Sequence, residues 1–99
     1  MHFDWDPGNL EHIARHGVTA DEVEEVFYGA YLEIGSYLRN SERRNAVAGV
    51  TSEGRVIFVV FTLVGACIRV VTAHESRKYR PYFKEARDAQ EAAPPLQDR

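Results

Sequence analysis

The chain has 99 residues, one cysteine, 44% hydrophobic residues and a formal net charge of −3, which suits one domain with one modest core and no internal disulfide. The negative total alone argues against a nucleic-acid partner, but the charge is uneven: residues 1–35 carry −7, residues 36–87 carry +6 and residues 88–99 carry −2. A basic middle beside an acidic start predicts a two-faced surface, one side of which suits a polyanion.

Phe3-Asp4-Trp5 alternates and predicts a short edge strand with Phe3 and Trp5 on one face. Asp6-Pro7 is a helix entry, with Asp as N-cap and Pro at the first helical position, where its missing N–H does no harm. Leu10, Ile13 and Ala14 predict the buried face of this first helix, and Gly17 stops it. Thr19-Ala20-Asp21-Glu22 reads as a capping box, with Val18 and Val23 placed for a hydrophobic staple. The second helix is expected to bury Val23, Val26 and Phe27. Its acids, Asp21, Glu22, Glu24 and Glu25, crowd the end where the helix dipole favours negative charge.

Residues 31–37 predict an edge strand, 40–44 a polar turn, and 45–51 a strand that Gly49 weakens by a bulge or a close backbone approach. Arg55 to His74, RVIFVVFTLVGACIRVVTAH, contains two β-branched and aromatic runs broken at residues 63–66. They predict the two central strands of an antiparallel sheet. Cys67 reads as a core residue. Arg69 is a charge inside the most apolar segment, so it either faces a cleft or pairs with a carboxylate, for which Glu33 and Glu53 are candidates. A last helix is expected from Pro81, burying Phe83, Ala86 and Gln90. The order β-α-α-β-β-β-β-α is an α+β fold: an antiparallel sheet with two N-terminal helices and a C-terminal helix. One domain is expected over residues 1–92, with a flexible tail over 93–99. No apolar run approaches the ~18 residues of a membrane span. The acidic start also lacks the basic-then-apolar order of a secretory leader, so a cytoplasmic protein is expected.

For chemistry, His12 and His16 stand four apart on a helix but lack a third ligand at a helpful spacing, and no glycine-rich phosphate loop is present. No metal site and no cofactor are expected. What remains is Arg69, His74, Glu75, Arg77, Lys78, Tyr79, Arg80 and Tyr82. Metal-free RNA cleavage needs a base for the 2′-hydroxyl, an acid for the leaving 5′-oxygen and cations for the developing charge. Glu75 or His74 can serve as base, His74 as acid, Arg69 or Arg77 as stabiliser, and tyrosines can stack on bases. The alternative for this set is a basic sheet-to-helix junction held by a structural salt bridge.

The segments FDWD, NLEHIARHGVTADEVEEVF, GRVIFVVFT and IRVVTAHE, in that order across residues 3–80, closely resemble the BrnT toxins of bacterial type II toxin–antitoxin systems. The resemblance implies a RelE-like fold and a ribonuclease that halts translation. It also implies a DNA-binding, BrnA-like antitoxin that neutralises the toxin and represses their shared operon, so that DNA is met only through the partner. It carries Arg15, His16 and Gly17 of the first helix, and Arg69, Thr72 and Ala73 of the last strand, onto the family pattern. Arg15 and His16, with Lys78, Tyr79 and Arg80, are then expected to bind RNA, and Arg69, His74, Glu75 and Arg77 to form the catalytic set. Where the family pattern usually has an arginine after Thr72-Ala73, this chain has His74, and histidine can transfer a proton whereas arginine only stabilises charge. The competing function is a non-catalytic interaction module on the same scaffold that binds an antitoxin-like partner.

Overall fold

The computed structural model describes residues 1–86; the expected domain end at residue 92, the tail over 93–99 and the burial of Gln90 lie outside the described residues. The elements are β1 (His2–Phe3), α1 (Pro7–Arg15), α2 (Ala20–Tyr28), β2 (Leu32–Arg39), β3 (Glu42–Val50), β4 (Val56–Val64) and β5 (Cys67–Glu75). A 3-10 turn at Arg80–Tyr82 follows, and residues 84–86 open a helix. The five strands form one sheet in the order β1-β5-β4-β3-β2. This is the expected α+β class, with one difference in the sheet. β2 to β5 pair antiparallel, but β1 lies parallel to β5, His2 opposite Cys67 and Phe3 opposite Ile68. β1 is also shorter than expected, because the chain turns away at Asp6 to begin α1.

Both helices start as their sequences predict. The Asp6 side chain accepts from Asn9 N, and Asn9 Oδ1 accepts from Asp6 N in return. Thr19 and Glu22 form the same reciprocal pair. The staple residues Val18 and Val23 are buried. α2 buries Val23, Val26 and Phe27 as expected, but α1 buries only Ile13, with Leu10 and Ala14 exposed. α1 packs chiefly on β5, next to the edge of the sheet, and a single residue of its apolar face reaches the core.

The turn expected at 40–44 is tighter. Asn40 and Ser41 alone reverse the chain, at φ +52° and +67°, and β2 and β3 pair up to Arg39 and Glu42. Two left-handed residues match the right-handed twist of the flanking strands, so the strands run to the turn without splaying. Similarly, β4 and β5 extend to Val64 and Cys67, leaving Gly65 and Ala66 to turn. Gly49 is a close approach: a Cβ there would stand 2.7 Å from Val26 Cγ1, so the glycine lets α2 lie directly on β3.

The sheet has a core on each face. Ile57, Val59 and Phe61 of β4 pack with Val47, Val70, Ala73, Ile13, Val23, Val26 and Phe27 on the face covered by α1 and α2, with Phe3 and Trp5 against them. On the opposite face Val56 and Ala48 pack with Phe83 and Ala86, joined by Ile34, Val50 and Tyr79. Pro81 lies inside the 3-10 turn, where Tyr82 N and Phe83 N bond three residues back, and the helix opens three residues later than expected. In that turn the proline's missing N–H leaves no helical ladder bond broken.

Candidate active site

β5 carries a one-residue bulge. Thr72 stands opposite Val60 and Val70 opposite Phe61, so Val71 has no partner on β4. Below the bulge Arg69 pairs with Thr62, and above it His74 pairs with Phe58. Thr62 and Phe58 are four apart on an uninterrupted strand and therefore share a face. Arg69 and His74 are five apart, and on a regular strand would point to opposite sides. The extra residue restores their parity. Both lie on the face away from α1 and α2, roughly 13 Å apart along the strand at ~3.3 Å per residue.

His74 is exposed and stands at one end of a row of rings. Its ring centroid lies 5.3 Å from that of Phe58, Phe58 stacks on Tyr79 at 6.1 Å and 8°, and Tyr79 meets Tyr82 at 6.1 Å. Lys78 Nζ sits 5.4 Å above the Tyr79 ring. His74 Nδ1 lies 3.0 Å from the Glu75 carbonyl oxygen. That oxygen can only accept, so Nδ1 carries the hydrogen, and in the neutral ring the lone pair is then on Nε2. The junction after β5 is tied down by Ser76 N donating to Val56 O (2.8 Å) and Tyr79 N donating to Ser76 Oγ (3.3 Å).

Arg69 does not pair with Glu33 or Glu53. Its guanidinium is half-exposed and donates to Asp4 Oδ2 (3.4 Å) and Asp6 Oδ2 (3.3 Å). The parallel β1 brings Asp4 beside it, and the helix cap holds Asp6 nearby. It is therefore a surface charge at the sheet margin, where burial carries little penalty.

Glu75 points the other way from His74. It pairs with Ile57 on the helix-covered face, where its carboxylate accepts from Arg55 Nε (3.4 Å) and Nη2 (3.3 Å). Arg55 also donates to Glu22 Oε2 and, through Nη2, to the Gly17 carbonyl (3.2 Å). One guanidinium thus joins the ends of α1, β4 and β5 to the start of α2. Burial works to lower the Arg55 pKa, and the hydrogen bonds and charges of Glu22 and Glu75 outweigh it and raise it. The sequence reading missed Arg55 as a hub; its signal was a charge immediately before the most apolar strand, in the Gly54-Arg55 pair.

The remaining expected residues fall into two groups. Arg15 and His16 lie at the C-terminal end of α1, both exposed, with Arg15 paired to Glu11 at 3.6 Å. His16 meets His12 edge-on at 5.3 Å, and His12 Nε2 lies 3.2 Å from Thr72 Oγ1 on β5. Arg77 and Lys78 are exposed just past His74, while Arg80 is half-buried and donates to the Ala86 carbonyl (3.3 Å). The structure thus gathers Arg69, His74, Lys78 and Tyr79 on or beside one face and separates Glu75, Arg15 and His16 from them. A hollow of about 640 Å³ between Tyr31, Leu32, Val50 and Phe83 is lined by Tyr82 but by none of the expected catalytic residues. Among the described residues no three His, Cys, Asp or Glu side chains are grouped to hold a metal ion, and no helix is long and apolar enough to cross a membrane.

The family model described as "Ribonuclease toxin, BrnT, of type II toxin-antitoxin system" matches residues 5–79, a span running from Trp5 through the ring row at Tyr79. A search of curated proteins returned no match.

Proposed function

We propose, from the premise that the chain belongs to the BrnT family of ribonuclease toxins of type II toxin–antitoxin systems, that it cleaves RNA without a metal ion on the sheet face that carries His74. The observation that carries the reading is His74 itself, an exposed imidazole with Nδ1 against the Glu75 carbonyl. Nε2 takes the proton of a 2′-hydroxyl, and the 2′-oxygen attacks the adjacent phosphorus. The bond to the 5′-oxygen breaks, and the imidazolium returns its proton to that oxygen. The products are a 2′,3′-cyclic phosphate and a free 5′-hydroxyl, and the histidine ends neutral. Arg77 and Lys78 take up charge on the non-bridging oxygens, where cations favour the transition state over the ground state. Tyr79, in the ring row, offers a base a stacking surface. Arg69 binds a phosphate away from the reacting one, and Glu75 steadies the strand end through Arg55. Arg15, His16 and Arg80 extend the contact with RNA.

Family membership implies an antitoxin protein partner. A BrnA-like, DNA-binding antitoxin that covers this face and represses the shared operon fits the reading, as does action in the cytoplasm, where the RNA is. Induction of the chain with and without the neighbouring reading frame tests it, with His74→Ala and His74→Arg alongside. Growth arrest by the parent, relieved by the neighbour and abolished in both variants, is the expected result, since one positioned proton-transfer group is worth ~100- to 10,000-fold in rate. An active Arg variant with an inactive Ala variant overturns proton transfer and keeps a charge-binding site. Two variants as toxic as the parent at equal expression remove His74 from the mechanism. A parent without toxicity in the absence of its neighbour leaves the non-catalytic interaction module.

A further inference from the structure

We infer that the open sheet face holds a second, separate phosphate position, the cross-strand row Arg44–Thr62–Arg69, which seats a backbone phosphate of the RNA away from the one being cleaved. The inference rests on the RNA reading above and adds a site to it.

The row follows from register. Thr62 pairs with Arg69, Asn45 pairs with Phe61, so Arg44 stands beside Thr62, and Tyr37 pairs with Arg44 on the far side. All point away from α1 and α2, and neighbouring strands lie ~4.8 Å apart, so the two arginines flank Thr62 with their Cα atoms roughly 10 Å apart. An independent observation marks the middle of the row. Thr62 is 3% exposed, and its Oγ1 is buried without a hydrogen-bond partner; on the neighbouring strand Arg44 Nε is also buried without a hydrogen bond, with Glu42 Oε1 3.5 Å away as its ion-pair partner. Elsewhere on this face β4 presents Val56, Phe58 and Val60, and valine has nearly the shape of threonine without a hydroxyl to satisfy. Buried polar atoms in native proteins are normally hydrogen-bonded, and the unpartnered Thr62 hydroxyl calls for a missing group. A tetrahedral oxyanion between two guanidinium forks supplies acceptors to both arginines and to the hydroxyl.

The present partners of the arginines are replaceable. Glu42 is 3.5 Å from Arg44 Nε, and Asp4 and Asp6 are 3.4 and 3.3 Å from Arg69. All three carboxylates are 40% exposed or more, and exposed ion pairs are weak. The row lies roughly 13 Å along β4 from the Phe58–His74 pair, at ~3.3 Å per residue. It therefore holds a different phosphate from the one next to the His74 imidazole.

The test is binding of a 2′-O-methyl oligouridylate, which lacks the attacking hydroxyl, to the full chain and to Arg44→Met and Thr62→Val, titrated in salt. The melting temperature of each is followed with inorganic phosphate. Arg44→Met should bind ~10- to 100-fold more weakly, as expected for a lost charged hydrogen bond. Its salt slope should fall by ~0.7, as expected for one single-strand phosphate contact. Thr62→Val should bind ~3- to 10-fold more weakly with the slope unchanged. If Arg44→Met fails to fold, Thr62→Val and Arg44→Lys decide, the lysine keeping the charge and the slope. Variants that bind like a parent that itself binds RNA overturn the row and leave the ribonuclease reading standing. A parent that binds no RNA but melts higher in phosphate, with Arg44→Met unmoved, keeps the anion site and overturns the RNA reading. No effect of either ligand on the parent overturns both.

Discussion

Replacing Arg55 with Met tests whether the helix layer is fastened to the sheet by one guanidinium. The Arg55 side chain is 29% exposed and that of Glu22 only 16%, whereas Glu75 is 47% exposed. Losing the Glu75 contact should matter little, at ~0–1 kcal/mol for a surface pair. Glu22 is different. Its Oε1 still accepts from Thr19 N at the helix cap, but Oε2 is left with a shielded charge and no cation. Stranding a fully buried partner costs ~3–5 kcal/mol, and a group one-sixth exposed falls below that. We expect a loss of about 2–3 kcal/mol, bounded by the buried and surface limits, which is roughly 8–24 °C in melting temperature for a domain of this size. The assay is thermal unfolding by circular dichroism in a His74→Ala background, the variant that the proposed function expects to be non-toxic. Glu22→Gln completes the cycle: it keeps the cap acceptor and removes the charge, so Arg55→Met should cost clearly less there. Because Glu22 and Glu75 raise the Arg55 pKa, its contribution is fully present below the ordinary arginine value and is lost only as pH rises through the raised one. The Arg55-dependent difference should therefore stay flat across neutral pH. A melting temperature that falls by less than about 4 °C, the smallest shift expected per kcal/mol here, would refute the fastening. So would an equal fall in both backgrounds.

Gly49→Ala places a methyl 2.7 Å from Val26 Cγ1, and because Val26 is buried in the core the helix must move; overpacking of this kind costs ~1–3 kcal/mol, readable as a lower urea midpoint. Asp6→Ala removes the N-cap of α1 and should lose ~0.5–2 kcal/mol, whereas Asp6→Asn keeps the cap and should lose little; equal losses would show that Arg69, not the cap, depends on Asp6. Ser41→Gly should stabilise by ~0.5–1 kcal/mol, because Ser41 holds φ +67° in the tight turn and glycine reaches that region without a steric penalty; a lower melting temperature would contradict the turn assignment.

What could be read in advance were features that declare themselves within a few residues. The Asp6-Pro7 and Thr19–Glu22 caps, the Val18–Val23 staple, the buried face of α2 and the apolar strands β4 and β5 are all marked by residues within one turn or one hairpin. What could not be read depends on distant chain. Arg69 was assigned Glu33 or Glu53, yet its partners are Asp4 and Asp6, 65 and 63 positions away, because nothing in Phe3-Asp4-Trp5 says that the strand runs parallel to β5. Arg55 gathers Glu22 and Glu75, 33 and 20 positions off. The bulge at Val71 has no local signal, since Val70 and Val71 are equally apolar and either fits a regular strand. For the same reason Glu75 looked like a neighbour of His74 in chemistry, when the pleat turns the two to opposite faces.

The parallel pairing of His2 and Phe3 with Cys67 and Ile68 also sets a timetable. The first strand is made 65 residues before its partner, roughly 3–13 s at ~5–20 residues per second. Throughout that interval Phe3 and Trp5 lack the β5 backbone that positions them, and Asp4 waits for Arg69. Closing so long a loop is entropically slow to repay, which makes docking of the first strand a late event. Arg69, His74 and the ring row arrive in the same final stretch. A product that terminates before residue 67 therefore lacks the strand that closes the sheet together with every candidate group on β5. A partly made chain lacks the candidate site, and closure of the fold coincides with its completion.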